Sequence, residues 1–409
     1  MAKLKAFKAY RPQEKLVEKV AELPYDVLNS EEAAVIAKGN EYSFFHVTKP
    51  EIDLSADIDV HDKEVYLQGK KKLNEFIEKQ ILIEEKTECL YLYTQVMNGK
   101  AQTGLVSCIS IDDYLNNVIK KHEYTREDKE EDRSTHLDTL NANTGPVFLL
   151  FRQTEEKKNL LDSCMSVEPL YDFTAEDGVQ HTVRVIDDSA IIKKITDSFA
   201  NDTVYIADGH HRAASGANVG VKRREMNPGY KGDEEYNYFL SVSFPHDELN
   251  ILAYNRAVKD LNGLDSESYL NKIKDKYAVD QNGKKIPEST EEFCMYLDGK
   301  WYTINPEFAI SEDPIDSLDV KILQDTVLDP ILGIGNPRTD DRISFIGGIR
   351  GTQELEKLVD SKDFAVAFSM YPTTVEQLMN VSDNDGIMPP KSTWFEPKLR
   401  SGLFVHSLD

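Results

Sequence analysis

The sequence holds only four cysteines in 409 residues, Cys89, Cys108, Cys164 and Cys294. None forms a C-x-x-C pair or has a histidine at zinc-finger spacing, which excludes a disulfide framework and a structural zinc ribbon and leaves them as buried packing residues. Positive charge is also scarce: 48 Lys and Arg stand against 72 Asp and Glu, a formal net charge of −24. A chain this acidic repels a phosphate backbone, so no nucleic-acid partner is expected. No apolar run approaches the length of a bilayer span, and Met1 to Phe7 carry no extended apolar stretch of a secretory signal; the expectation is a cytoplasmic protein with no membrane partner.

Familiar catalytic signatures are missing as well. There is no Gly-x-Ser-x-Gly elbow, although a triad assembled from distant residues stays open. Gly347-Gly348 is not followed by Lys-Ser or Lys-Thr, so it reads as a tight turn and not as a P-loop. No cysteine lies near a histidine in sequence, as a thiolate nucleophile would need. Internal repeats and low-complexity tracts are absent. What remains is a soluble globular composition, 40% hydrophobic and 29% charged, long enough for two or three domains.

The richest stretch runs from Thr203 to Ala214, where the β-branched run Thr-Val-Tyr-Ile-Ala leads into Asp208-Gly209-His210-His211-Arg212 and then into helix formers. A strand that turns into a helix leaves the first helical N–H groups unpaired at the positive end of the macrodipole, which suits a phosphate. His210, His211 and Arg212 add donors. Asp208 would repel that phosphate unless a divalent cation lay between them or the acid oriented a histidine; it can equally cap the helix. Adjacent histidines lack the i,i+4 spacing of a helical zinc pair. Phosphoryl transfer fits best: cationic and helix-terminal groups for phosphate oxygens, Asp208 for Mg²⁺, and a second carboxylate to accept a hydroxyl proton.

Around this motif the pattern predicts a mixed α/β (α+β) protein. Ala6–Pro12 and Tyr42–Val47 read as strands, 14–23 and 65–88 as helices, and Asn29 or Ser30 as the cap of a helix to about Lys38. Leu90–Gln95 and Gly104–Ile111 pair through the Asn98-Gly99 turn, and Asp172–Val185 forms a hairpin at Asp177-Gly178. Pro146–Phe151 reads as a buried strand, 188–200 as a helix and 236–244 as a strand. Asp26, on the Pro24-Tyr25-Asp26 turn, is either catalytic or a turn-completing acid. Thr125 can cap a helix on which Arg126, Lys129, Arg133 and His136 share a face; the plainer reading of that stripe is a solvated surface laced with ion pairs. Beyond Leu264 the texture becomes charge-rich and amphipathic, which places a catalytic domain at 1–263 and an α+β lobe at 264–409.

Several stretches together resemble the family catalogued as domain of unknown function 1015, essentially end to end. They are Phe7–Pro12, Pro24–Val27, His122-Glu123, the 205–214 motif, Tyr254-Asn255-Arg256, Arg338–Arg342 and Met388–Phe395. Asp208–Arg212 itself resembles the phosphate-binding motif of the ParB/sulfiredoxin-like superfamily, in the form carried by its free-serine kinases. The resemblance implies a ParB/sulfiredoxin-like catalytic core. His210 stands where sulfiredoxins carry their cysteine, and the chain shows no basic recognition helix of a ParB protein. The implied activity is therefore a small-molecule kinase, phosphorylating free L-serine from ATP or ADP with Mg²⁺. In it Asp26 or Glu123 is the base, with His210 beside them in the catalytic set. Gly209, His210, His211 and Arg212 hold the nucleotide phosphates with Arg126, Lys129 and Arg133, and Asp208 holds the metal. Asn255, Arg256, Arg338, Lys391 and Ser392 are the implied substrate-binding set, with Arg256 or Lys391 for its carboxylate. Free-serine kinases are shorter, so the C-terminal lobe is not explained by the resemblance, which leaves it for the site or for partner contacts. A nucleotide sensor without turnover and a phosphate-ester hydrolase are the alternatives, and homo-oligomerisation is left open.

Overall fold

The computed structural model describes residues 2–409 and is a mixed α+β protein. The chain forms two units, one of residues 2–249 with 397–409, the other of 250–396. The division falls earlier than the change of texture at Leu264, because Tyr254–Val258 is an inner strand of the second unit's sheet. The last thirteen residues return to the first unit, which composition alone does not reveal.

The first unit is built on a nine-stranded sheet. Its order is Ile119–Lys120, Val204–Asp208, Val147–Phe151, Tyr238–Pro245, Lys100–Ser110, Leu90–Met97, Gln180–Ile186 and Tyr171–Thr174, with Leu4–Lys5 also on Lys100–Ser110. Two pairings are parallel, Val204–Asp208 with Ile119–Lys120 and Val147–Phe151 with Tyr238–Pro245; the others are antiparallel. Both expected hairpins are present, and Asn98 and Gly99 turn with φ of +53° and +78°, as a two-residue hairpin turn requires. Val147–Phe151 is buried along its whole length, which is why it reads as one apolar run. The helix His210–Met226 lies on the sheet through a face of small residues. A Cβ at Gly216 would stand 3.0 Å from Phe239, and one at Gly220 would stand 2.4 Å from Ile111 and 2.5 Å from the Tyr236 carbonyl. All four cysteines are buried and unpaired, as expected of packing residues.

Several local expectations change. Tyr42–Val47 is not a strand: Phe45–Thr48 is a short helix with Phe44 at its N-cap, and Phe44 and Val47 join one apolar cluster while Phe45 joins another. Neighbouring side chains that join separate clusters mimic strand alternation over so short a span. The helix expected over 65–88 is Lys63–Glu78, followed by a strand at Leu82–Glu84 that pairs with Tyr10–Pro12. The one expected at 14–23 shortens to turns at Glu14–Leu16 and Val17–Val20. Asn29 caps Ser30–Ala37 in a reciprocal capping box with Glu32. Thr125 does not cap the next long helix, Glu127–Leu140; its hydroxyl bonds Glu130, and Arg126 holds the N-cap position.

The second unit carries an antiparallel six-stranded sheet in the order Tyr277–Asp280, Lys300–Pro306, Phe293–Leu297, Val366–Ser369, Tyr254–Val258, Ile343–Gly347. Leu355 and Val359 of the helix Gly351–Asp360 pack on Ala257, Cys294 and Ala367 of that sheet.

Candidate functional site

The strand Val204–Asp208 shifts register against Val147–Phe151 between Ile206 and Asp208, a bulge that re-aims the strand end. Gly209 then takes φ +92° and ψ 33°, a left-handed conformation open to glycine at little cost, and the helix begins at His210. Because the strand core is fixed by buried Val204 and Ile206 and the helix by Ala213 and Ala217, the turn between them is held from both ends.

At this turn Arg212 is the hub. Its Nη1 donates to the Pro146 carbonyl, and its Nη2 lies 3.5 Å from Asp26 and 3.6 Å from Asp208. Its Nε and Nη2, and Nε2 of His210, are buried and make no hydrogen bond. Buried donors without partners are rare in folded proteins and commonly mark where a ligand sits. His210 is 6% exposed. Burial pushes its imidazole well below the ordinary range, and the neighbouring His122 ring, 4.5 Å away edge to face, adds to this. Burial likewise pushes His122 down to about 4. Both rings are therefore neutral at pH 7. His211 accepts the Arg126 backbone N–H at Nε2, which fixes its tautomer and ties the start of the Glu127–Leu140 helix to the motif.

Two carboxylates flank the hub. Asp26 meets Arg212, and Glu123 lies 3.9 Å from Nδ1 of His210; both are substantially exposed, at 40% and 46%. Arg133 stacks over Tyr25 with Cζ 4.3 Å from the ring centroid and pairs with Asp132 at 2.7 Å. A narrow cavity lies there, lined by Tyr25, Arg133, Gly145, Arg212, Ser215 and Ser401. The cationic stripe is thus dispersed: Arg126 pairs with Asp128 in solvent, Lys129 is exposed, and His136 is a buried neutral ring bonded to the Val47 carbonyl.

Asp208 has a neighbour that local sequence reading missed. Lys398, from the returning C-terminal segment, places Nζ 3.4 Å from its Oδ2, while Oδ1 accepts the Gly209 N–H at 3.0 Å. Burial alone would raise the Asp208 carboxyl; Lys398 and then Arg212 outweigh it and hold the group well below the usual carboxylate range. These are not the surroundings of a metal ligand. The carboxylate is already faced by two cations, and among the described residues no group of three or more His, Cys, Asp or Glu is placed to hold a metal ion. The sequence signal for Lys398 is its place just after the Pro-rich Met388–Phe395 stretch.

The implied substrate-binding residues lie in the second unit. Arg256 is buried, bonds the Lys391 carbonyl through Nη2 at 3.1 Å, and has burial push its guanidinium down to about 10. Lys391 itself is exposed at φ +57°, with Nζ 5.4 Å from the Tyr254 ring centroid. Asn255 accepts the Met370 N–H, and Ser392 bonds the Pro389 carbonyl; both are structural ties. Arg338 is exposed on a loop, apart from this group's bonds.

The chain belongs to the family described as protein of unknown function (DUF1015), whose profile matches residues 4–321. No curated protein matches it significantly. Solved structures similar to it include a mutant free serine kinase in complex with AMP, at 14% identity and TM-score 0.37 over 71% of this chain and 87% of that one. Another is a mutant free serine kinase in complex with ADP, at 16% identity and TM-score 0.36 over the same shares. A third is SbnI with a C-terminal truncation from Staphylococcus aureus, at 10% identity and TM-score 0.38 over 74% and 87%. No helix among the described residues is long and apolar enough to cross a membrane.

Proposed function

We propose that this member of the DUF1015 family binds a nucleotide at the Asp208–Arg212 turn and transfers its terminal phosphoryl group to a hydroxyl, most directly that of free L-serine. The observation that carries the phosphate assignment is the set of buried, unpartnered donors on His210 and Arg212 at a helix N-terminus. The choice of serine rests on the Asp-Gly-His-His-Arg form of the motif, which is that of the free-serine kinases, and nucleotide complexes of such kinases are among the similar structures.

In this reading the substrate hydroxyl oxygen attacks the terminal phosphorus, the bond from phosphorus to the nucleotide's bridging oxygen breaks with its electron pair leaving on the nucleotide, and the hydroxyl proton passes to Asp26. Asp26 takes that role in this reading because it pairs with Arg212, whose guanidinium meets the transferring group. Glu123, on the His210 side, is the alternative base. Neutral His210 and His211 act as hydrogen-bond donors to phosphate and not as charges.

Incubation with ATP or ADP and labelled serine should yield O-phosphoserine. Asp26→Asn should lower kcat by roughly 100-fold or more, as loss of a general base does, with nucleotide affinity kept; a comparable loss in Glu123→Gln alone would move the base to Glu123. No product with either nucleotide across a panel of hydroxyl acceptors would sink the kinase reading. Saturable nucleotide binding without product would identify a sensor, and inorganic phosphate release from phosphate esters without an acceptor would identify a hydrolase.

A further inference from the structure

Arg212 is a wall with two sides. A Cβ at Gly209, on the phosphate turn, would meet its Nε at 3.0 Å and its Cζ at 3.1 Å, whereas a Cβ at Gly145 would meet its Cδ at 3.9 Å. Gly145 and Arg212 both line the cavity beside Tyr25, and Asp208, Gly209 and His210 do not. We propose that this cavity is the acceptor pocket and that Arg133 binds the acceptor's carboxylate there, so that the substrate class is a short hydroxy acid such as serine. The proposal rests on the kinase reading.

Size and charge both favour a carboxylate. The cavity offers about 40 Å³ to water-sized groups, which at roughly 10–15 Å³ each holds about three. That is the size of a carboxylate, and it excludes a nucleobase. The cation is Arg133, whose guanidinium lies over Tyr25 with Cζ 4.3 Å from the ring centroid. Its Nε and Nη2 both bind Oδ2 of Asp132, at 2.8 and 2.7 Å. Asp132 thus engages one edge of the fork and leaves the other, Nη1 with the second proton of Nη2, for another carboxylate. Asp132 is held in turn, since its Oδ1 accepts from His61 Nδ1 at 3.0 Å and from the Tyr66 hydroxyl at 2.8 Å. Arg133 is therefore fixed on one face and one edge before any ligand arrives. Arg256, which the resemblance implies for this carboxylate, instead donates from Nη1 and Nη2 to the Tyr254 and Lys391 carbonyls. A hydroxy acid anchored at Arg133 extends toward Asp26, which directly follows Tyr25 and lies 3.5 Å from Nη2 of Arg212.

Phosphoryl transfer to L-serine and to L-serinamide, which keeps the hydroxyl without the negative charge, tests this alongside calorimetric titration of both compounds and of ADP. Wild type should favour serine roughly 10- to 100-fold in kcat/KM and in affinity, the effect of one charged hydrogen bond. Arg133→Met should abolish that preference by weakening serine alone, with ADP affinity kept; Arg133→Lys should retain part of it. Gly145→Ala, which folds independently of the Arg133 contacts, places a methyl 3.3 Å from Oγ of Ser401 inside the cavity. It should weaken serine and serinamide alike and spare ADP. Serinamide used as well as serine by wild type, undiminished discrimination in Arg133→Met, or ADP affinity that falls with that of serine would overturn the acceptor assignment and leave the kinase reading standing. Turnover only of acceptors without a carboxylate would do the same. Serine binding that loses its charge preference in Arg133→Met, with no product from ATP or ADP, would keep the carboxylate site and overturn the kinase reading.

Discussion

At the scale of single residues, Gly209 couples backbone conformation to ligand binding. Its φ of +92° would strain any L side chain, and an added Cβ would stand 3.0 Å from Nε and 3.1 Å from Cζ of Arg212. Gly209→Ala should therefore act twice. The left-handed backbone costs about 1–2 kcal/mol of stability, read by denaturant unfolding. The displaced guanidinium should also lose its aim at phosphate, so nucleotide affinity should fall further than the stability change accounts for. Affinity unchanged at reduced stability would show that Arg212 can yield without consequence. The motif residues were legible in the sequence because a strand, a glycine and a helix start follow one another with no intervening chain. Asp26 and Glu123 are named by the resemblance as candidate bases, whereas nothing in the sequence singles out Lys398 itself. Their convergence on Arg212, His210 and Asp208 is made by loops and a C-terminal return whose contacts span from about 85 to 190 residues.

At the scale of elements, the small face Ser215–Gly220 of the motif's helix decides how closely it approaches the sheet at Phe239 and the chain at Ile111 and Tyr236. A glycine inside a helix costs about 1 kcal/mol relative to alanine, so two of them, Gly216 and Gly220, need a packing reason. Gly220 has one in the Tyr236 carbonyl and Ile111, both within 2.5 Å of where a Cβ would sit. Gly220→Ala should thus destabilise by roughly 1–3 kcal/mol through overpacking despite the better helix propensity, and a rise in Tm would contradict the close approach. Elements with a single buried face or a turn signal, such as the Asn98-Gly99 hairpin and the Asp188-capped helix Ser189–Phe199, could be read from pattern alone. Phe44-Phe45 could not, since neighbouring side chains packed into separate clusters imitate alternation. The Arg126–His136 stripe shows the same limit in charge: helical spacing puts the residues on one face, but packing buries His136 and leaves Lys129 in solvent.

At the scale of the whole molecule, titration divides the chain. All nine histidines lie outside residues 250–396, in the first unit. Burial holds His122 at about 4, and His136 and His181 at about 3, while His210, His211 and His406 are also lowered. An imidazole depressed in the folded state stabilises fully above its unfolded value near 6.5, and that stability is lost as pH falls toward the folded value. Between pH 7 and 5 His122, His136 and His181 each remove on the order of 1–2 kcal/mol. Buried Glu22, raised by burial to about 7, opposes them in the same unit, as do Asp113 and Glu248, which burial also raises; six lowered imidazoles stand against these three carboxyls. The second unit behaves in the opposite sense. Asp319 is buried, has Oδ2 without a hydrogen bond, and is raised by burial to about 7. A carboxyl raised in the folded state stabilises below its unfolded value near 3.8, and that contribution is lost as pH climbs through 7. Acidification from pH 7 to 5 should therefore weaken the first unit and strengthen the second, the latter by on the order of 2 kcal/mol. Hydrogen exchange resolved by segment should show protection falling in 2–249 and rising in 250–396. Asp319→Asn should abolish the rise and leave the fall intact; parallel changes in both segments would mean that Asp319 stays ionised in the fold.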